Sequence, residues 1–333
     1  MKAVLCKEYG GPDTLVVEEV ADLKAGKGQV VIDVKACGVN FPDALLIQNL
    51  YQFKPELPFS PGGEVAGVIR EVGEGVTNVK VGDRVIGSIG WGGMAEQAVC
   101  DAGRITPIPD AMPYDEASAF LLTYGTSHHA LKDRAMIKPG ESLLVLGAAG
   151  GVGLAAVELG KVMGAKVIAA ASTEEKLKVA MDHGADAGFV YPEQPLDRDQ
   201  QKALSEKIKE LTGGEGADVV YDPVGGDYCE PALRATAWEG RFLIVGFPAG
   251  IAKIPMNLTL LKGCQIVGVF WGAFTARHPD RNKENIAELM TWYGEGKIKP
   301  FVSNRYDFAH AGEAIRELMD RKAKGKVVVT VGD

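Results

Sequence analysis

The stretch LLVLGAAGGVGLAAVELG, residues 143–160, decides the fold. An apolar strand runs straight into Gly147-Ala148-Ala149-Gly150-Gly151-Val152-Gly153 and from there into an Ala/Leu-rich helix. Glycines in that place permit a tight turn and let the backbone approach a pyrophosphate, which the N–H groups of a helix N-terminus bind. Gly153 and the neighbouring alanines also allow close packing of helix on strand. A bare glycine triplet carries little weight, and a tight βα turn can exist without a ligand. Set between strand and helix, with a second strand about twenty residues on, the triplet marks a dinucleotide site. Gly147, Ala148, Gly150, Gly151, Val152 and Gly153 are therefore expected to contact the cofactor.

Working outward, the chain from 141 alternates strand and helix. ESLLVLG, KVIAAA, GFVY, ADVVYDPVG and RFLIVGF read as strands. GVGLAAVELGKVMG, TEEKLKVAMDHG, DRDQQKALSEKIKELTGG and EPALRATAWEG read as the helices between them. Repeated β–α units of this length imply a parallel sheet covered on both faces. Residues 1–110 have a different texture: KAVLC (2–6), GQVVIDVKACGV (28–39), EVAGVIREVG (64–73) and DRVIGSI (83–89) are short, β-branched runs set apart by glycine turns. Such turns suit a small barrel. PYDEASAFLLTYGTSHHAL, from 113, is helix-like, with Asp115 and Glu116 in its first turn. The tail adds helical stretches at 283–294 and 309–322 and a closing strand KVVVTV at 326–331. It does not extend the alternation and is expected to pack back on the first domain.

Composition narrows the function. The 333 residues are 46% hydrophobic and 24% charged, the profile of a globular protein with sizeable cores. A net charge of -8 and the absence of a basic cluster argue against nucleic acid and acidic membrane surfaces as partners. MKAVLCKEYGG has no apolar signal-like core, and no run of eighteen apolar residues occurs, so a cytoplasmic location is expected. Cys6, Cys37, Cys100, Cys229 and Cys264 are dispersed with no Cys-x-x-Cys, which argues against a disulfide framework and a zinc ribbon.

The second strand bears on the choice of cofactor. An NAD site usually carries an acidic residue at that strand's tip to hold the ribose 2′-OH. KVIAAASTEEK offers Ala170, Ala171 and Ser172, then Lys176 one helical turn later. A hydroxyl and a lysine suit a 2′-phosphate, which favours NADPH. Ser172-x-x-Glu175 also reads as a capping box, and the two roles are compatible.

Several phrases recur here in a familiar order: KACGVNFPDAL (35–45), LPFSPGGEVAGVIREVGEGV (57–76), VGDRV (81–85), GAAGGVG, YDPVGG (221–226), GKIKP (296–300) and GKVVV (325–329). Together they resemble the medium-chain dehydrogenase/reductases, and most of all the zinc-free branch, the NADPH:quinone oxidoreductases, over essentially the full length. The resemblance implies an α/β fold: a Rossmann doubly wound parallel sheet (121–264) plus a GroES-like, β-barrel-type catalytic domain built from both chain ends (1–120 and 265–333). It places the active site in the cleft between them and implies a homodimer paired through an edge strand, with CQIVGVFWG as candidate. In the zinc-dependent branch the catalytic metal is held at places matched here by Asn40, Gly63 and Leu122. None of these is a usual zinc ligand, so no metal is expected.

Without a Lewis acid, alcohol oxidation loses its means of stabilising an alkoxide. Hydride transfer to an electron-poor acceptor needs no such help, because a quinone spreads the charge onto its own oxygen. The expected reaction is therefore NADPH-dependent reduction of a quinone. Alternatives are reduction of α,β-unsaturated carbonyls or of enoyl and acryloyl thioesters, and a non-catalytic NADPH-binding protein. By resemblance, Asn40, Tyr51 and Thr126 are the candidate catalytic residues. Asn40 also reads as a cap for the helix PDALLIQ, and Tyr51 as a loop anchor. The resemblance likewise implies Ser172, Lys176, Tyr191 and Arg321 around the adenosine 2′-phosphate, with Gly246, Phe270 and Trp271 towards the nicotinamide.

Overall fold

Four of the five residues of SLLVL (Ser142–Leu146) are buried, because a strand with helices on both faces has no solvent side to favour a polar residue. The computed structural model describes residues 1–332 and puts this strand inside a six-stranded sheet. Its strands are β1 (Ser142–Leu146), β2 (Lys166–Ala171), β3 (Ala187–Val190), β4 (Ala217–Asp222), β5 (Thr236–Ile244) and β6 (Gln265–Gly268). They lie in the order β3-β2-β1-β4-β5-β6, and every neighbouring pair is parallel. All carboxyl ends therefore share one edge, and the winding reverses between β1 and β4. In open parallel sheets a crevice for ligand forms at that reversal.

One element differs from expectation. The helix read through EPALRATAWEG stops at Arg234, and Thr236 already pairs with Ala217 in the sheet. Strand pairing there overrides the helical propensity of the alanines.

Residues Thr123–Lys299 form one compact unit; Met1–Leu122 and the chain from Pro300 form another. Residues 265–299 fall in the unit of the parallel sheet, where β6 pairs with β5 and the Trp271 indole N–H donates to Asn282 at 3.2 Å. The sheet's demand for a sixth strand carries the chain beyond 264 before it turns back.

The first unit is built on a mixed sheet ordered Val302–Tyr306, Lys326–Thr330, Gln29–Val39, Glu64–Val72, Arg84–Ser88, Ile105–Pro107, with Gln97–Asp101 also paired to Gln29–Val39. Ile32, Val65, Ile69, Val85 and Val329 sit in its core. The strand from the chain's end runs antiparallel to Gln29–Val39, with Val327 opposite Val39. That register brings Lys326 up to Asn40. All five cysteines are buried free thiols. Among the described residues, no helix is long and apolar enough to cross a membrane.

Candidate active site

The glycine-rich turn lies at the head of β1. Gly147 takes φ +58°, and a Cβ there would sit 2.7 Å from Val224 Cγ2, so only glycine fits. Gly153, in the first turn of helix Gly151–Val162, lies so close to the turn that a Cβ would fall 2.2 Å from the Gly147 carbonyl oxygen. Gly150 N–H closes the turn on Gly147 O at 3.0 Å, and Ala148 N–H ties it to Ala170 O at 3.0 Å. Ala148 and Gly153 are buried, whereas Gly147, Gly150, Gly151 and Val152 keep some exposure. The buried pair fixes the turn; the others present backbone and the first N–H groups of the helix, which have no partner within it.

At the tip of β2, Ala170 and Ala171 are buried and Ser172 is exposed, with no carboxylate between them. The next helix, Glu174–Asp182, is capped by Thr173, whose Oγ1 accepts the Lys176 N–H at 3.2 Å. The cap read at Ser172 thus lies one residue on, at Thr173, as a single hydrogen bond and not a capping box. The chain stays extended through Thr173 (φ −146°), so the helix begins at Glu174 and Ser172 is left outside the cap. Tyr191 follows β3 directly; its N–H donates to Ala171 O at 2.9 Å, and its ring packs 4.5 Å from that of Tyr228. Ser172, Lys176 and Tyr191 thereby gather at one end of the carboxyl edge.

On the other side of the reversal, β4 ends at Asp222, which is buried. Its carboxylate accepts Val224 N–H at 2.8 Å, Gly225 N–H at 2.9 Å and the Cys229 thiol at 2.9 Å. It thus shapes the turn that brings Val224 against Gly147. Burial raises the Asp222 pKa, and these hydrogen bonds oppose the rise. Gly246 follows β5, and Phe270 and Trp271 follow β6. The Trp271 ring packs so closely on Gly125 that a Cβ there would be 2.7 Å from the indole. Ser127 donates to Val152 O at 2.8 Å and accepts from the Tyr221 hydroxyl at 2.8 Å. Thr126 lies between these two anchored neighbours in helix Leu121–His128.

The remaining candidates belong to the first unit. Asn40 is 5% exposed and fully engaged: Oδ1 accepts from Lys326 Nζ at 2.5 Å, while Nδ2 donates to Gly38 O at 3.2 Å and to Glu64 Oε2 at 3.3 Å. Its two amide protons are spent on protein acceptors. As a candidate catalytic group, the amide therefore has no proton left over for a substrate oxygen. Asp43 Oδ2 accepts Asn40 N–H at 2.8 Å, and its Oδ1 accepts Gly62 N–H at 2.9 Å. Glu64 Oε1 accepts the Leu122 N–H at 2.9 Å, at the start of helix Leu121–His128.

Burial raises the Glu64 pKa and pushes Asp43 up to about 6, while it lowers that of Lys326. Lys326, near both carboxylates, pulls each of them back down. Tyr51 is half-buried on this core, and burial and then the Asp43 carboxylate raise its pKa. A Cβ on Gly63 would lie 2.9 Å from Gly90 O, so that position resists any side chain. Arg321, exposed at φ 56°, follows helix Ala311–Met319.

Sequence reasoning missed Glu64, Lys326 and Asp222, and read Asp43 as a solvated first-turn residue where the structure buries it. For Lys326 the available signal was a lysine opening the apolar run KVVVT; for Glu64 it was a carboxylate next to Gly63, at the mouth of an apolar strand.

Residues 26–110 match the alcohol dehydrogenase GroES-like domain, and residues 151–292 match the zinc-binding dehydrogenase family. A quinone oxidoreductase-like protein 2 homologue of Nematostella vectensis is 40% identical over 98% of this chain and 88% of its own length. A mycobacterial protein solved in complex with NADPH superposes with a TM-score of 0.92 at 32% identity, covering 99% of this chain and 100% of that one. Escherichia coli quinone oxidoreductase, also complexed with NADPH, gives 0.89 at 28% identity, with 99% and 100% covered. With a six-stranded Rossmann order, a GroES-like unit and relatives of this similarity along its whole length, the chain belongs to the medium-chain dehydrogenase/reductases, in their quinone oxidoreductase branch.

Proposed function

We propose that this chain binds NADPH along the carboxyl edge of the parallel sheet and directs its hydride to a quinone, with no metal in the reaction. The observation that carries this reading is the cradle after β1, where Gly147 and Gly153 leave no room for a side chain. Backbone that cannot be covered and helix N–H groups left without partners fit a pyrophosphate. The NADPH-bound relatives support the same cofactor. Ser172 and Lys176 at a strand tip without a carboxylate favour the 2′-phosphate, with Arg321 as further charge and Tyr191 beside the adenosine. Gly246, Phe270 and Trp271 lie towards the nicotinamide end, with Gly125, next to Thr126, packed against Trp271.

The donor set does not fit zinc. Asn40, Gly63 and Leu122 offer neither imidazole nor thiolate, and no group of three His, Cys, Asp or Glu among the described residues is arranged to hold a metal. Bound NADPH supplies the hydride. The chain's own residues orient the acceptor: the Tyr51 hydroxyl donates a hydrogen bond to the acceptor oxygen as it gains charge. Asn40, with its protons already committed, forms part of the frame. The names of the relatives favour a quinone as acceptor.

The test is NADPH oxidation against quinones, enones and enoyl thioesters, with NADH in parallel and with and without a chelator. Quinones are expected to react fastest, NADPH to outperform NADH, and the chelator to have no effect. Preference for an enone or thioester would move the substrate, equal use of NADH would remove the 2′-phosphate argument, and loss of activity restored by zinc would overturn the metal-free mechanism.

A further inference from the structure

The first unit buries an ammonium and two carboxylates in one small volume, a costly arrangement that hydride transfer itself does not call for. Lys326 is 4% exposed. Its Nζ donates to Asn40 Oδ1 at 2.5 Å and to Val39 O at 2.9 Å, and Glu64 Oε2 stands 4.0 Å away as the opposite charge of an ion pair. Glu64, 1% exposed, uses its other oxygen on the Leu122 N–H, where a carboxylate also meets the positive end of a helix. Asp43 clamps Asn40 N–H and Gly62 N–H, the two ends of the segment that carries Tyr51. Cys37 completes the surroundings, with burial holding its thiol protonated. Desolvating an ammonium costs several kcal/mol, a cost that close contacts alone can offset. Here those contacts converge on Asn40.

We propose that Lys326 is a positioning residue for the hydride acceptor: its ammonium fixes the Asn40 carboxamide, pairs with Glu64 at the start of helix Leu121–His128, and so holds rigid the frame from which Tyr51 projects. The proposal rests on the reading above that Tyr51 donates to the acceptor oxygen from a frame that includes Asn40. Lys326 touches neither acceptor nor cofactor in this scheme. It acts through Asn40 and Glu64, and its charge lowers the proton affinity of both Glu64 and Asp43. Removing it raises the proton affinity of both carboxylates, because burial then acts unopposed by a nearby positive charge.

The experiment uses the full chain with Lys326→Met, Lys326→Arg, Glu64→Gln and the double variant Lys326→Met/Glu64→Gln. NADPH affinity is read by fluorescence titration, kcat and KM for p-benzoquinone across pH by NADPH oxidation, and exchange of the Asn40 side-chain amide protons by NMR. In Lys326→Met, NADPH affinity stays at its wild-type value while kcat falls about 100-fold, the scale of a misplacement near 1 Å. The acid limb of kcat/KM moves to higher pH, and the Asn40 amide protons exchange faster. Lys326→Arg restores the limb and the slow exchange in part. The double variant, which strands no Glu64 charge, folds with Asn40 still loosened and with a smaller shift of the limb.

Wild-type kcat in folded Lys326→Met overturns the proposal, as does a loss that tracks NADPH affinity with an unmoved acid limb. Should Lys326→Met fail to fold, the double variant against Glu64→Gln carries the same comparison. Should the wild type reduce no acceptor at all, the functional reading fails, and unchanged Asn40 exchange in Lys326→Met separately overturns the frame.

Discussion

The turn after β1 and the cluster around Lys326 both hold polar atoms inside an apolar protein, and they do it by opposite means. The turn spends no charge. It presents backbone N–H groups on residues within one short segment, and its precision comes from leaving out atoms: a Cβ at Gly153 would fall 2.2 Å from a carbonyl oxygen. The cluster spends charge freely. It joins Asn40 to Lys326 across 286 positions of sequence and balances burial against ammonium, amide and helix N-terminus. The first arrangement is therefore vulnerable to bulk and indifferent to pH. The second is vulnerable to lost or gained protons.

The largest effect is expected from Gly153→Val. Overpacking usually costs about 1–3 kcal/mol, but here the atom in the way is backbone of the turn itself. The expected outcome is loss of measurable NADPH binding in a titration, together with a lower melting temperature. Gly150→Ala is the contrast, since a Cβ there meets only Gly147 O at 3.4 Å. It is expected to bind NADPH nearly as well as the wild type. Equal affinity in Gly153→Val and the wild type would remove steric closeness as the basis of the cradle.

The next effect belongs to the cluster and is a pH dependence. Burial pushes Asp43 up to about 6 in the folded chain, against an ordinary value of 3.8. The folded state thus binds the proton more tightly than the unfolded one. Its stabilising contribution is complete below pH 4 and is lost as pH rises through about 6. The loss amounts to roughly 3 kcal/mol. Glu64, also raised by burial, acts in the same direction. Urea unfolding from pH 4 to 7 should show wild-type stability falling relative to Asp43→Asn, whose slope is flatter. Parallel slopes would mean that Asp43 ionises freely and that the cluster is less closed than its geometry implies.

The same contrast explains what could be read in the sequence. The sheet and its turn were readable because their determinants are contiguous: an apolar strand, glycines, and an Ala/Leu helix occur in one line of text. The fold class followed from repetition of that unit. The cluster was far less readable: a lysine opening KVVVT and a carboxylate beside Gly63 are faint local signals, and each acquires meaning only when the closing strand pairs with Gln29–Val39. Asn40 was found, but its amide's partners were not, since its acceptors lie at Gly38 and Glu64. Asp222 was hidden inside the phrase YDPVGG, where its hold on the following turn appears only in three dimensions.

The smallest effect separates two neighbours that sequence alone could not tell apart. Thr173 caps helix Glu174–Asp182, while Ser172 lies outside the cap and exposed at the tip of β2. Thr173→Ala should cost about 1 kcal/mol of stability, as loss of a capping hydroxyl does, and leave the ratio of NADPH to NADH efficiency unchanged. Ser172→Ala should leave stability unchanged and lower that ratio about tenfold, equivalent to one hydrogen bond of about 1.4 kcal/mol to the 2′-phosphate. Paired melting curves and kcat/KM ratios decide it. If both substitutions lower stability and neither moves the ratio, the serine is only part of the helix start. The carboxylate-free strand tip would then have to select NADPH through Lys176 and Arg321 by charge alone, which added salt would weaken.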